Sequence, residues 1–308
     1  MKAGAVAPKT LVANDQIRYW IEGVVQVVLA LASLISIVTT VSIVVILLWQ
    51  TIEFFQVVSF QQFFGDPGWY PLHRNPEFGI WSLVCGTVMI AFGSAVIAVP
   101  LGLLGAIYLS EYSTPGFRNV VKPMLEILAG IPSVVLGYFA LIFITPIIRM
   151  AFPETSIFNA ASACIAVSVM IVPTVISLSE DVLRSVPQSL REAAYALGST
   201  KLEVTTRVVV PAAMSGIMAA IILAISRAVG ETMAVKLAAG VDPKVTFNFL
   251  DSIETMTSFI ADIMQGDAPT GSIAYRSIFA VCMMLFLMTL SMNMLSQWIL
   301  SRFRERYE

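Results

Sequence analysis

Six long apolar stretches constrain this chain more than any other feature of its sequence. They cover residues 24–49, 80–109, 124–148, 157–178, 214–238 and 278–300. Each is long enough for a helix that crosses a hydrocarbon core about 30 Å thick, which takes about 20 apolar residues. A helix satisfies its own backbone hydrogen bonds where no water can do so. The sequence therefore predicts an all-α integral membrane protein with six transmembrane helices.

The composition excludes several classes of protein. Hydrophobic residues make up 57% of the 308 residues and charged residues only 12%, whereas soluble domains are about 25% charged. A water-soluble enzyme of this size could not bury so much apolar surface. The net charge of −2 offers no basic field for a nucleic acid. Cys85, Cys164 and Cys282 lie in apolar runs, which predicts buried free thiols without a metal site. No cofactor is predicted.

The lysines and arginines indicate the orientation, because cytoplasmic loops carry an excess of them. One side of the predicted spans holds Lys2, Lys9, Arg18, Arg118, Lys122, Arg184, Arg191, Lys201, Arg207, Arg302, Arg304 and Arg306. The opposite side holds only Arg74, Arg149, Lys244 and Arg276. Both termini are therefore expected in the cytoplasm.

This orientation divides the chain into segments. We predict cytoplasmic tails at 1–23 and 301–308, a first transmembrane helix at 24–49, an external loop at 50–79 and a core of five transmembrane helices at 80–300. The apolar core of a secretory signal has only about 7–15 residues, so 24–49 is expected to stay in the protein. The external loop is rich in aromatic residues, which favours an aromatic belt at the membrane surface; a docking surface for an external partner is the alternative.

The loop at 180–211 is too long and too polar for a simple turn. Pro187 suits a first helical turn, and apolar residues from Leu183 to Leu197 recur at spacings of three and four, which predicts one apolar helix face. Gly198 then ends the helix. Thr200 with Glu203 forms a capping box for a second short helix, which Pro211 is expected to stop. Such an exposed helix either lies in a groove on a partner or rests on the membrane surface.

This loop resembles the EAA loop of bacterial ABC-importer permeases. The matching residues are Glu192, Ala193 and Ala194, then Gly198, then Val208, Val210 and Pro211. The family has Ile and Leu at the two valine positions, which is a mild departure. The resemblance implies a MetI-like architecture in which residues 187–198 form a coupling helix that docks on a cytoplasmic ATP-binding subunit. Glu192, Ala193, Ala194, Gly198 and Pro211 carry over as the coupling residues.

Further segments resemble the phosphate-importer permeases, and among them the PstC-like subunit. They are residues 69–71, 78–80, 86–87, 130–137 and 226–235. The resemblance implies phosphate as substrate, a second PstA-like permease chain, cytoplasmic ATP-binding subunits and an external phosphate-binding protein. The chain has no Gly-Lys pair and hence no phosphate-binding loop of the Walker A type. It is therefore expected to be a transport subunit, with ATP hydrolysed on another chain.

Two charges fall inside the predicted fifth span. Arg227 lies about 20 Å along it at 1.5 Å per residue, and Glu231 follows four residues later, on the same face of a continuous helix. Each charge costs about 2.5–3.5 kcal/mol at mid-membrane, so both are expected to face protein or water. Either they form an ion pair that pins helices together, or Arg227 binds an oxyanion, which a guanidinium suits. Glu231 would accept a proton of phosphate, which sulfate lacks, or hold Arg227 in place.

Three other residues in the spans are given structural roles. Lys236 is expected to extend its stem to the outer interface. Glu126 is expected in the first turn of the third span, begun by Pro123, where the helix dipole favours an acid. Pro132, with Gly130, is expected to kink that span.

Other functions remain open on the sequence alone. A permease for sulfate, molybdate or phosphonate shares the same features. A secondary transporter or channel would need no ATPase, and the EAA-like loop argues against it. A role in signalling through the cytoplasmic loops is compatible with any of these.

Overall fold

The computed structural model describes residues 15–269 and 271–303. Within them, six helices are long and apolar enough to cross a membrane, which confirms the predicted number. They are Tyr19–Phe55, Trp81–Tyr112, Ser133–Ala151, Ala160–Ser185, Lys201–Val229 and Ile273–Trp298. The outer parts of the predicted tails, 1–14 and 304–308, lie outside the described residues.

The elements follow one another as helices with one small hairpin. The first half contains α1 (Asp15–Phe55), α2 (Phe60–Gly65), β1 (Trp69–Tyr70), β2 (Glu77–Phe78), α3 (Trp81–Ile107), α4 (Pro115–Ala129), α5 (Ser133–Phe139) and α6 (Thr145–Ala151). The second half contains α7 (Ala160–Ser185), α8 (Gln188–Ala196), α9 (Lys201–Val204), α10 (Val210–Val229), α11 (Met233–Ala239), α12 (Met256–Asp262) and α13 (Ile273–Phe303). Single π-helical turns extend α3 and α12, and others join α5 to α6 and α9 to α10.

The chain divides into two compact units. The first unit, Met1–Trp49, contains most of α1, an apolar helix that begins at Asp15. The second unit, Gln50–Glu308, contains all the other elements.

The core of the second unit lies along α7, which packs against α3 through small residues. A Cβ atom on Gly102 would lie 2.6 Å from the side chain of Val175. Ser168 donates hydrogen bonds to the carbonyls of Cys164 (2.6 Å) and Ser94 (3.1 Å). Close helix approach at small residues with hydroxyl hydrogen bonds is typical of membrane helices, and it makes α7 the central support of this unit.

The aromatic residues of the 50–79 segment mostly pack into a buried cluster that they share with residues of α3, α12 and α13. Phe54, Phe63, Trp69 and Phe78 are each less than 5% exposed, and their rings meet edge to face. The antiparallel hairpin pairs Trp69 with Phe78 and so brings two of these rings together. The sequence suggested either an aromatic belt at the membrane surface or a docking surface for an external partner. Neither is correct for these four residues, because a buried ring contacts neither the membrane surface nor a partner. Phe60 and Phe64 remain exposed.

The third predicted span differs from the structure. Instead of a kinked helix over 124–148, α4 ends at Ala129 and a new helix begins at Ser133, with Pro132 in extended backbone (φ −58°, ψ 131°). Helix α4 begins at Pro115, after Thr114, whose hydroxyl accepts a hydrogen bond from the Phe117 N–H. Pro123 and Glu126 lie inside α4 rather than in a first turn. The helix begins earlier because Thr114 caps it and Pro115 suits its first turn, and these local features outweigh the start of the apolar stretch at residue 124.

The fifth predicted span also needed correction. A helical segment runs from Lys201 to Val229 and ends at Gly230; residues 233–239 form the separate helix α11. Pro211 does not stop a helix. It lies in the first turn of α10, directly after the π-helical turn Thr205–Val209. Such a turn locally changes the hydrogen-bond pattern, so the helix continues past a residue that has no N–H to donate.

Candidate functional site

Arg227 lies at the end of α10 and contacts two other helices. Its Nη1 donates a hydrogen bond to the Thr174 hydroxyl on α7 at 3.2 Å. Its Nη2 donates to the Ala129 carbonyl at 3.4 Å. Ala129 is the last residue of α4, where the carbonyls of a helix lack intrahelical partners and the helix dipole is negative. The guanidinium at the end of α10 therefore binds the end of α4.

Both helix interruptions lie in this part of the molecule. Residues 130–132 separate α4 from α5, and residues 230–232 separate α10 from α11. The helices that follow also touch, since a Cβ atom on Gly137 of α5 would lie 2.8 Å from the Cα of Ala234 on α11. We call Arg227, Thr174, Ala129 and these two interruptions the Arg227 junction. In membrane proteins, interrupted helices are tolerated where protein or a water-filled cavity satisfies the freed backbone groups.

Glu231 does not share a helix face with Arg227, as a continuous helix would require. The helix ends at Val229, and Glu231 lies in the interruption. Its Oε1 accepts a hydrogen bond from the Ala234 N–H at 3.1 Å, and its backbone carbonyl accepts one from the Thr257 hydroxyl at 2.8 Å. The predicted face was wrong because Gly230 turns the chain out of the helix. Glu231 is placed to cap the start of α11.

The guanidinium of Arg227 has no carboxylate partner among the residues that the structure describes. Its two hydrogen bonds go to neutral groups, and the residue is exposed on the surface of this chain. A guanidinium carries five N–H donors, so several remain for another acceptor. The ion pair with Glu231, one of the two alternatives for this arginine, is absent within these described ranges. The arrangement suits a tetrahedral oxyanion, which accepts several such hydrogen bonds at once.

Lys236 of α11 has a partner that its position in the sequence did not suggest. Its ammonium pairs with Asp262 of α12 and donates to the amide oxygen of Gln265 at 3.4 Å. Both charged side chains are one-fifth exposed. The ion pair joins α11 to α12 and provides the lysine with a local partner.

A second charged group near this pair lies in the loop before α12. Glu254 is buried, and burial raises the pKa of its carboxyl to about 8, with Asp262 and Asp242 adding to the effect. It lines a pocket of about 390 Å³ together with Trp69 and Asp262. The sequence places Glu254 among five acidic residues of 239–273, a segment for which it predicts a solvated surface, with a partner site as the alternative. Because Glu254 is buried, the prediction of a solvated surface was wrong for this residue.

The 180–211 loop folds as the predicted helix, bend and helix. Helix α8 ends at Ala196, and Gly198 follows with φ +85°, a conformation that glycine adopts readily. The Ser199 N–H donates to the Ala194 carbonyl at 3.2 Å, which closes the helix end. Thr200 and Glu203 then form both hydrogen bonds of the capping box at the start of α9.

The predicted coupling residues are divided between two surfaces. Glu192, Ala193 and Gly198 are exposed, whereas Ala194 is buried against the core. Pro211 is exposed on α10, beyond the loop. The predicted apolar face is only partly correct. Leu183 belongs to α7, which continues to Ser185, and Leu197 is 88% exposed.

A buried carboxylate on α7 anchors α4 beside this loop. Glu180 is 1% exposed and accepts a hydrogen bond from Lys122 of α4 at 2.9 Å. Arg184 and Arg118 lie at 3.7 and 4.0 Å, and Lys122 also pairs with Asp181. Burial lowers the pKa of Lys122, but its hydrogen bonds to the two carboxylates outweigh this, and the pKa is raised. Sequence reasoning missed the cluster because Lys122 and Glu180 are 58 residues apart.

The fold is that of an ABC-importer permease subunit, a multi-pass membrane protein. The chain is a member of the family of binding-protein-dependent transport system inner membrane components, which matches residues 98–305.

Two full-length relatives show how closely the chain follows this family. It is 32% identical over 294 residues to a probable ABC transporter permease protein, YqgH, of Bacillus subtilis, covering 95% of both chains. It is 31% identical over 278 residues to the phosphate transport system permease protein PstC of Mesorhizobium japonicum, covering 84% of this chain and 82% of the relative.

Solved structures share the fold at low sequence identity. The alginate ABC transporter of a bacterium, in complex with its periplasmic protein, matches with a TM-score of 0.62 and 14% identity over 92% of this chain and 94% of that one. The MetNI methionine ABC transporter, in an inward-facing conformation, matches with a TM-score of 0.54 and 18% identity over 74% and 95%. These matches support the MetI-like architecture.

Proposed function

We propose that this chain is the permease subunit of an ATP-driven importer of inorganic phosphate, and that Arg227 and Glu231 line the substrate path. A second, PstA-like permease chain would complete the path. Two cytoplasmic ATP-binding subunits would drive it, and an external phosphate-binding protein would deliver the substrate. Both termini would lie in the cytoplasm of a bacterium, with the chain in the inner membrane.

The Arg227 junction is the observation that carries this proposal. A cation inside the membrane costs about 2.5–3.5 kcal/mol unless protein or water receives it. Arg227 meets that condition at the junction of two interrupted helices, yet it pairs with no carboxylate among the described residues and stays exposed. It is therefore available to an anion. The relatives named as phosphate permeases support phosphate as that anion.

The 180–211 loop provides the route by which ATP would act. Glu192, Ala193 and Gly198 form the exposed side of α8 and its C-terminal bend, as a surface that docks on an ATP-binding subunit requires. Closure of the ATPase pair on ATP would move α8 and, with it, the ends of the spans. Coupling is a bias between inward-open and outward-open states, so each ligand must bind one state better than the other.

Glu231 would contribute to selectivity. One of its carboxylate oxygens accepts the Ala234 N–H. The other has no hydrogen-bond donor among the described residues and would accept a proton from hydrogen phosphate. Sulfate near neutral pH has no such proton to offer. The same carboxylate also holds the start of α11 beside the path.

Replacing Arg227 tests the proposal most directly. Arg227→Ala should reduce uptake of labelled phosphate at least about 100-fold, since hydrogen bonds to charged groups contribute about 1.5–3 kcal/mol each and several are removed together. The amount of assembled complex should remain as in the wild type. Arg149→Ala, which removes an exposed arginine from the last turn of α6, is the matched control and should import normally.

Two outcomes would contradict the substrate role. One is normal uptake by Arg227→Ala. The other is loss of the assembled complex, which would assign Arg227 to helix packing alone. Glu231→Gln with Arg227 intact separates the two roles of the carboxylate: we expect weaker discrimination between phosphate and sulfate in competition assays, and unchanged selectivity would exclude proton acceptance.

A further inference from the structure

Arg191, immediately before the exposed Glu192, points into the molecule instead of toward a partner. The residue is 9% exposed. Its Nη2 donates hydrogen bonds to the Glu111 carboxylate at 3.0 Å and to the Leu183 carbonyl at 2.9 Å. Its Nη1 donates to the Val186 carbonyl at 2.5 Å. One side chain of α8 thus contacts the ends of two spans.

The partners of Arg191 are one carboxylate and two backbone carbonyls that need hydrogen-bond donors. Leu183 and Val186 lie at the C-terminal end of α7, where carbonyls lack intrahelical donors. Glu111 lies in the π-helical turn that ends the span of α3, and its side chain is only 7% exposed. The planar guanidinium reaches all three acceptors at once. The single ammonium of a lysine offers no such fork.

Little else fixes the direction of α8. It has nine residues, and helices shorter than about 12–15 residues are marginal on their own. Extended backbone at Pro187 precedes it, and Gly198, with positive φ, follows it, so that the chain leaves the helix direction at both ends. Its apolar contacts with the core are made by the small Ala194 and the half-buried Leu190.

We infer that Arg191 is a positioning residue that fastens α8 to the ends of α3 and α7, so that a displacement of α8 moves both spans. The inference rests on the proposed function, in which α8 receives the motion of an ATP-binding subunit. Without the Arg191–Glu111 pair, α8 would turn about Pro187 and Gly198, and ATP would be hydrolysed without a matching movement of the spans.

Hydrogen exchange on the purified full-length chain tests the fastening without any partner. Glu111→Gln and Arg191→Lys should each raise the exchange rate of backbone amides in 188–198 by about 10-fold, since exchange reports local opening. Glu126→Gln and Arg149→Lys alter exposed residues of α4 and α6 and should leave these rates unchanged. Unchanged exchange in 188–198 in both Glu111→Gln and Arg191→Lys would overturn the inference.

Transport by the assembled complex provides the functional readout. The ratio of phosphate imported to ATP hydrolysed should fall in Glu111→Gln and Arg191→Lys, while the amount of complex stays normal. A purely structural role would lower the amount of complex, uptake and hydrolysis together and leave the ratio unchanged, which would refute the inference. If the wild-type complex itself does not import phosphate with ATP, the proposed function fails, whereas the exchange result still decides the fastening of α8.

A double variant checks that the two residues act on each other. Contacting residues have non-additive effects, whereas independent sites add. Arg191→Gln is therefore made alone and combined with Glu111→Gln, and the double variant should raise exchange in 188–198 by no more than the larger of these two single effects. A double variant whose fold-increase in exchange rate equals the product of the two single increases would show that the residues act separately. This would overturn the direct link between Arg191 and Glu111.

Discussion

The helix ends at residues 194–203 of the 180–211 loop and the Arg227 junction differ in how far along the chain their stabilising contacts reach. In the loop, the hydrogen bonds that end α8 and begin α9 join residues no more than five positions apart, such as Ser199 to Ala194. In the junction, Arg227 contacts residues 53 and 98 positions away. The loop shows what capping residues determine locally, and the junction shows what requires the packed fold.

This difference predicts unequal responses to substitution at glycine positions. Beside the junction, where α5 packs on α11, a side chain added at Gly137 meets backbone from another element. In the loop, an added side chain meets open space and changes only the conformational preference of the chain. Two glycine substitutions and one threonine substitution, from the largest expected effect to the smallest, would test whether the two regions really differ in this way.

Gly137→Val should have the largest effect. Its Cβ would lie 2.8 Å from the Ala234 Cα and 2.9 Å from the Ala234 carbonyl oxygen, neither of which can rotate away. Overpacking of this kind typically costs about 1–3 kcal/mol and occasionally more. We expect a clear fall in the melting temperature of the purified protein and loss of phosphate uptake.

Gly116→Val is the matched control for this change. A Cβ on Gly116 meets nothing within 4 Å, so its melting temperature should stay close to that of the wild type. Equal stability of the two variants would show that α5 and α11 do not need their close contact.

Gly198→Ala should have an intermediate effect. Its φ of +85° is unfavourable for a residue with a Cβ, at a cost of about 1–2 kcal/mol, although no atom lies within 4 Å of the added carbon. We expect reduced uptake, faster hydrogen exchange at 194–199 and a smaller fall in the melting temperature than Gly137→Val causes. Gly198→Asn should keep more activity, because asparagine tolerates this conformation better. An alanine variant that transports better than the asparagine variant would contradict the explanation.

Thr200→Ala should have the smallest effect. The threonine hydroxyl accepts the Glu203 N–H at the start of α9, and loss of such a cap costs about 1 kcal/mol. Exchange should increase in the first turn of α9 only, measured by mass spectrometry of short peptides. Thr200→Ser retains a hydroxyl and should behave as the wild type. Destabilisation that spreads to the Arg227 junction would show that the loop is less local than its hydrogen bonds indicate.

The prolines show where prediction from the sequence stopped. Pro100, Pro123 and Pro173 all lie inside continuous helices, whereas Pro132 lies in an interruption. A proline removes one hydrogen bond in each case. Whether the helix continues depends on which neighbours satisfy the freed groups, and those neighbours are distant in the chain.

The charged residues show the same limit. Arg227 and Glu231 were recognised from the sequence because charges in an apolar stretch are conspicuous, but their geometry was not, since Gly230 ends the helix between them. Arg191 was counted only as evidence of orientation. Its partner, Glu111, is 80 residues away and carries no local signal.

The sequence by itself determined the six membrane-crossing helices, the bend at Gly198 and the capping box at Thr200, because apolar length and caps are properties of neighbouring residues. It also carried the family resemblance. Only the tertiary structure decided where α4 and α10 end, that Arg227 holds the end of α4 and that Arg191 faces Glu111. These outcomes depend on which buried polar groups meet across elements, and a polar group in the membrane takes the partner that the folded chain brings to it.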